Sequence, residues 1–444
     1  MGLLLRAHGY ASHDDPGATL NRSLAWVLAT ATAGAIAASA CGDGDAGAPG
    51  PAGPDGGAGE AGASASLVLP EAGATALGPG CTSACHTLGG VVDQWRGSAH
   101  QHPQENVIGA GACGNCHGID GIEHRLANEY VVPADAGAAV DVPKGHVEYT
   151  SSKGVLSEVG YGGTTTTGQV HCTTCHDWNP TNDPHVTGRY VTGQTPLRVP
   201  GGVDDTVLFE KTDGIAPTQS LGQPVSYAAA NVCVFCHKSR KDVSLYITPT
   251  GNALSSIRWG PHDGPQTDVY SGKGGYHFAG VAYGTSTHSS LVNACVDCHM
   301  VPLATNGNIP DHSMRPPVAF CKTCHAAHAG STFDIQGGQT TVRNLLRELQ
   351  QALNARGWLT RSAVTPFAPL QSVELADDRF SLDTVLPTAT LVVGPDAGAV
   401  YDYFLVARSK DLGVHNPTYV KQLLWDSIRQ ITAAAPTSLP TRPQ

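Results

Sequence analysis

Twelve of the 13 cysteines fall in pairs, and a histidine follows every pair at once. The pairs are Cys81/Cys85, Cys113/Cys116, Cys172/Cys175, Cys233/Cys236, Cys295/Cys298 and Cys321/Cys324. Their histidines are His86, His117, His176, His237, His299 and His325. Five of the six read C-x-x-C-H, and the first, Cys81-Thr-Ser-Ala-Cys85-His86, carries one extra residue. Two thiols at that spacing add to the two vinyl groups of one porphyrin while the adjacent imidazole reaches its iron. C-x-x-C-H is therefore the attachment signature of a c-type haem. Disulfides and zinc sites are the alternatives. A disulfide framework does not require a histidine after every pair, and zinc sites typically join two pairs without one. Six motifs that use every cysteine but Cys41 point to six haem c groups per chain. At the irregular first motif, a disulfide between Cys81 and Cys85 stands as the alternative.

The second axial position decides what such irons do. An iron held by two imidazoles exchanges only electrons, whereas one with an open position binds a small molecule. Of the 20 histidines, six belong to the motifs and His8 and His13 lie near the start, which leaves twelve candidates for distal ligands. Six would close every haem.

The elements that must hold these groups are read from the rest of the chain. Gly (53) and Pro (30) are abundant, charged residues make up 14% and aromatics 6%, so few large side chains are available to fill an interior. Residues 1–40 read as a signal peptide with an overlong start: Arg22 precedes an apolar run from Leu24 to Ala40. Ala38-Ser39-Ala40-Cys41 resembles a lipoprotein cleavage box, with Cys41 as the acylated residue. Glycine then recurs at every third position from Gly44 to Gly62, a collagen-like pattern too short for a stable triple helix, so residues 41–80 read as a tether. Residues 81–330 form the expected hexahaem domain, with porphyrins serving as much of the core, short helices at the motifs, and loops with at most a hairpin in the long gaps 127–170 and 243–293. Residues 331–444 read as a helical segment packed on it. Val342, Leu345, Leu346, Leu349 and Leu353 mark one helical face. Val400–Ser409 is helical as well. Asn416-Pro417 caps a last helix whose stripe is Val420, Leu423, Leu424, Trp425, Ile428 and Ile431. The expected fold class is mostly α with much irregular loop: a haem-packed multihaem cytochrome c fold with a C-terminal helical bundle.

From Cys81 onward the sequence resembles exported multihaem cytochromes distantly similar to the pentahaem nitrite reductases. The stretches that carry the resemblance are QWRGSAH, CTTCHDWNPTNDPH, RWGPHDGPQTDVYSGKGGY, STHSS, CVDCHM, PDHSM and DLGVHNPTYVKQLL. The resemblance implies distal ligation by His100, His185, His262, His288 and His312. It leaves the sixth ligand open between His415 and His146, with His124, His171 and His328 behind them. One departure bears on catalysis: the nitrite reductases place Lys in a C-x-x-C-K motif, and all six motifs here end in His.

The expected function is electron transfer along mainly bis-His haems in a respiratory or extracellular chain. The alternative is a haem reductase of a small nitrogen or sulfur compound with one open iron. A formal net charge of −11, from 26 basic and 37 acidic side chains, argues against nucleic acid as a partner. It favours redox proteins that present basic docking patches. Cys41 would tie the chain to a lipid membrane, placing it at the outer membrane, on the periplasmic side or the cell surface. A filament of copies is a variant of the electron-transfer reading, and a lipid anchor argues against it.

Overall fold

The computed structural model describes residues 90–101, 116, 121–127, 130–131, 148–150, 156–158, 160–161, 170–187, 195–209, 223–239, 242–254, 259–302, 309–360, 380, 383–386 and 391–444. Cys41, the tether, Cys81, Cys85, His86, Cys113, His117 and His146 lie outside the described residues. Every described residue belongs to one unit, Leu69–Gln444. The architecture is helical with much irregular chain, and its strands are few and short.

Three long helices occupy the C-terminal part: α1 (Gly338–Ala355), α2 (Gly394–Ser409) and α3 (Pro417–Thr432). In α1, Val342, Leu345, Leu346, Leu349 and Leu353 recur at i, i+3, i+4 and i+7, and all five are fully buried. The helix stops at Gly357, whose φ of 73° is left-handed; the Trp358 amide reaches back to the Leu353 carbonyl at 3.1 Å, closing the last turn. The α2 helix starts earlier than the sequence indicates, with Pro395 in its first turn. It is buried on all sides from Ala397 to Ser409, as a helix apolar around its circumference must be. Gly398 is required there, because a Cβ would collide with the Tyr276 ring laid across the helix. The α3 helix begins as its sequence indicates: the Asn416 side chain accepts from the Tyr419 amide, and Pro417 opens the first turn. Its stripe packs on both α1 and α2. Valines, leucines and aromatics from 243–269 join the same core, among them Leu254 and Val269, both fully buried.

Residues 90–330 are built differently. Their helices are short, six residues at Val91–Arg96 and Gln266–Ser271 and four or five at the motifs. The gap 127–170, expected as loop with at most a hairpin, carries two two-stranded antiparallel sheets. The gap 243–293 departs further from expectation: Val243–Tyr246 and Gln266–Ser271 are helical. Asp242 caps the first by accepting from the Ser244 amide at 2.9 Å. A third hairpin pairs Val207 with Val225, and a fourth pairs Leu359 with Val385. No described helix is long and apolar enough to cross a membrane.

Candidate cofactor site

Each described C-x-x-C-H motif is wound into about one helical turn. The His176 amide donates to the Cys172 carbonyl (2.8 Å), His237 to Cys233 (2.9 Å) and His325 to Cys321 (2.8 Å). In the motif at 295, helix Cys295–His299 holds all five residues. An i to i−4 bond of this kind brings the first thiol, the second thiol and the imidazole around a single turn.

The four described motif histidines each face a second histidine. Ring centroids are 6.4 Å apart for His176 and His312, 5.9 Å for His237 and His100, 6.1 Å for His299 and His415, and 6.0 Å for His325 and His288. A metal ion sits about 2 Å from an imidazole nitrogen, so two rings sharing one metal stand roughly 6 Å apart.

The ring nitrogens carry a second signature. Nδ1 of His176 meets the Thr195 carbonyl (3.1 Å), His237 the Gln266 Oε1 (3.0 Å), His299 the Met314 carbonyl (2.9 Å), His288 the Val414 carbonyl (2.6 Å) and His312 the Pro310 carbonyl (2.8 Å). His415 Nδ1 lies 3.1 Å from the Asp411 carboxylate, and His100 Nδ1 lies 2.7 Å from Met314 Sδ. Partners on Nδ1 leave Nε2 as the ligating nitrogen, the usual outer-shell arrangement of a metal-bound imidazole. Two other histidines are used the other way. His277 Nε2 bonds the Tyr419 hydroxyl (2.9 Å) and His328 Nε2 the Thr332 carbonyl (2.8 Å). In these two rings Nε2 is the engaged nitrogen.

Burial tunes the same rings. It pulls the pKa of His100 down to about 4, helped by His237 and His299. Burial also pulls His299 down to about 4, with His415 adding to it. His176 and His312 are lowered chiefly by burial. All four are thus neutral at pH 7, the form that ligates a metal. At His415 burial pulls the same way, but the Asp411 carboxylate overrides it and raises the pKa.

The motifs are neighbours. Cys116 Sγ is 3.8 Å from the Phe235 carbonyl, and Cys236 Sγ is 4.0 Å from the Cys116 carbonyl. Cys175 packs on the small cluster of Val232, Val234 and Phe235 that surrounds Cys233 and Cys236. The Cys233 and Cys295 thiols hydrogen-bond, which raises the pKa of the first and lowers that of the second. Burial pushes Cys298 up to about 11, and nearby Cys321 adds to the shift. Among the described residues the order in space is therefore the Cys172 motif, the Cys233 motif, the Cys295 motif and the Cys321 motif, with Cys116 meeting the line at the Cys233 motif.

Cys172 and Cys324 are exposed, while the other described thiols are partly buried. Both belong to the outer two of the four motifs described in full. At Cys324 the contact within reach is local: the Thr323 hydroxyl lies 3.8 Å from its Sγ. The sequence singles out Cys324 by spacing alone. The turn itself is formed there as elsewhere, with the Cys324 amide donating to the Cys321 carbonyl at 3.2 Å.

The remaining sequence candidates are placed otherwise. His185 is exposed, with Nδ1 2.9 Å from Asp183 Oδ1 and its ring 5.7 Å from Trp178, which stacks on His176. His262 is exposed, with Nδ1 2.8 Å from the Asp263 carbonyl. Arg408 holds its loop by donating to the Trp259 carbonyl at 3.1 Å and to that of Pro261. Neither His185 nor His262 faces one of the four described motif histidines, while His86 and His117 lie outside the described residues. His171 stands beside Trp95 (6.2 Å), and His124 is half-buried.

The two alternative uses of the cysteines have no geometry here among the described residues. The nine described cysteines are free thiols. No three His, Cys, Asp or Glu side chains converge as a metal cage. Sequence reasoning missed Thr195, Gln266, Met314 and Asp411 as partners of the rings. Three of these act at one or more rings through neutral groups that carry no sequence mark. Asp411 had one, a carboxylate one helical turn's spacing before His415.

Thiol pairs on single turns, each beside two opposed imidazoles, define the class of site. No protein-family model matches the chain, and no curated protein matches it. Among solved structures it is similar to the outer cell wall cytochrome OcwA at 16% identity and a TM-score of 0.36, over 79% of this chain. The chain spans 51% of the length of that protein.

Proposed function

We propose that the protein is a multihaem c-type cytochrome that passes electrons along six covalently attached, mainly bis-His haems in a respiratory or extracellular electron-transfer chain. The observation that carries this reading is the set of four motif histidines, each facing a second histidine at 5.9–6.4 Å. The residues fit the group: two thiols and one imidazole on a turn to attach it, and a second imidazole with Nδ1 already engaged. Bound haem supplies an iron that takes up and returns one electron. The chain's own part is to fix both rings, exclude other ligands from the iron and keep neighbouring motifs in contact. In this reading Cys41 is the lipid-bearing residue, 41–80 the tether, and the site of work the outer membrane or cell surface. The partners are redox proteins with basic docking patches, as a charge of −11 favours.

Electron paramagnetic resonance on the purified oxidised protein, with haem quantified in the same sample, tests it. Six haems, all low-spin and unchanged by nitrite, are expected. Five would remove the Cys81 motif from the set. A high-spin signal that responds to nitrite would replace the carrier reading with that of a reductase.

A further inference from the structure

One of the paired histidines differs from the rest in its outer partner. His176, His237, His288, His299 and His312 turn Nδ1 to uncharged carbonyl or amide oxygens, and His100 to a thioether. His415 alone among these turns Nδ1 to a carboxylate, Asp411, whose side chain is only 5% exposed. The carboxylate is held by the Ser409 hydroxyl (2.6 Å) and by the amides of Gly413 (3.2 Å) and His415 (2.9 Å). These donors steady the charge without cancelling it. The turn is costly to build, since Lys410 (φ 58°), Leu412 (φ 48°) and Gly413 (φ 82°) are all left-handed within four residues. It is also firmly anchored, between the last residue of α2 and the cap of α3.

Resting on the reading above, we propose that Asp411 is a positioning and tuning residue that makes the His299–His415 haem the lowest-potential haem of the four sites described. A buried negative charge on the far nitrogen of a ligand raises the ligand's basicity and favours ferric over ferrous iron. Water and salt screen the same charge at a surface, so the Asp183 carboxylate on exposed His185 has little such effect. The Cys295 motif lies between the Cys233 and Cys321 motifs, so the low-potential haem sits inside the line. An electron crossing the line climbs there before it descends.

The test is a redox titration of the whole haem-loaded protein with dithionite, followed by paramagnetic resonance and absorbance. Each ferric iron takes one electron from dithionite to become ferrous, and no bond forms or breaks. Asp411→Asn is expected to shift upward one midpoint potential alone, the lowest of the four described sites, while Asp183→Asn titrates as the wild type does. An unmoved titration in Asp411→Asn with full haem content would overturn the inference and leave the cytochrome reading intact. So would a shift confined to a haem of higher potential. Wild-type protein without haem would sink both. If Asp411→Asn does not fold, Ser409→Ala supplies the test: with one donor gone the carboxylate pulls harder on His415, and the same potential moves down. No movement there would overturn the inference.

Discussion

The helices α1–α3 and the motif region before them solve the problem of an interior in opposite ways. In the helical trio the interior is hydrocarbon: Leu345, Leu346, Leu349, Leu353, Leu405, Leu423 and Leu424 are at most 1% exposed. Among the described residues of the motif region, the buried apolar clusters separate from that core are small, five residues around Val234 and three around Ala230. The positions between them hold imidazoles and thiols. The trio draws its stability from burial of its own side chains, whereas the motif region relies on whatever its thiols and imidazoles hold. On the proposed reading, stability and electron transfer fall to different parts of one chain, and a change in either should be readable without the other.

The largest break of that division is removal of the haem. Chain produced without haem attachment is expected to lose protease resistance over 170–330 while a helical circular-dichroism signal from 338–432 persists. Equal protection of both regions would end the distinction. Next in size is Leu346→Ala, which should cost about 2–5 kcal/mol in denaturant unfolding through the cavity it leaves. Its absorbance and resonance spectra should match the wild type. A smaller effect separates histidines that ligate from those that pack. His277→Gln removes a hydrogen bond to Tyr419 and should cost about 1 kcal/mol with no spectral change. His312→Ala, by contrast, should turn one low-spin signal into a ligand-sensitive high-spin one. A spectral change in His277→Gln would reopen the list of ligands.

The smallest effect concerns a charge inside the trio. Asp402 is fully buried, accepting from the Tyr276 amide and the Ser427 hydroxyl. Burial holds its pKa well above the usual carboxylate range, and Asp426 adds to this. The folded protein therefore keeps a proton that the unfolded chain releases near pH 4. Its contribution to stability is complete below about pH 4 and is lost as pH rises toward the folded pKa. Asp402→Asn should raise Tm at pH 7 and flatten its fall with pH. A lower Tm at pH 7 would show that the ionised form is the one the trio holds.

Much of this was legible in the sequence, for reasons that differ by region. The stripe from Val342 to Leu353 and the Asn416-Pro417 cap announce α1 and α3, because an amphipathic helix writes its face at a fixed period. The start of α2 at Gly394 was not legible, since a helix buried all round has no stripe. Cysteine and histidine spacing marks each motif locally, but not which described motifs are neighbours. The match between His176 and His312, or between His237 and His100, is long-range, and no spacing rule encodes it. The sequence candidates His185 and His262 share their local patterns with His100 and His312, yet stand at exposed positions. The small hairpins and the helix Gln266–Ser271 were hidden because short elements lack a full period.

The histidine pairs also impose a timetable. A chain is made from its N-terminus onward, and each pair closes only when its later member has appeared. His100 waits for His237, His176 for His312, and His288 only for nearby His325. The turn after α2 must be made before His299 meets His415, the last partner to arrive. On the proposed reading, attachment, decided within five residues, and ligation, decided across the chain, are thus separate events. Of the paired histidines the latest in the sequence, His415, completes a site inside the line of described motifs.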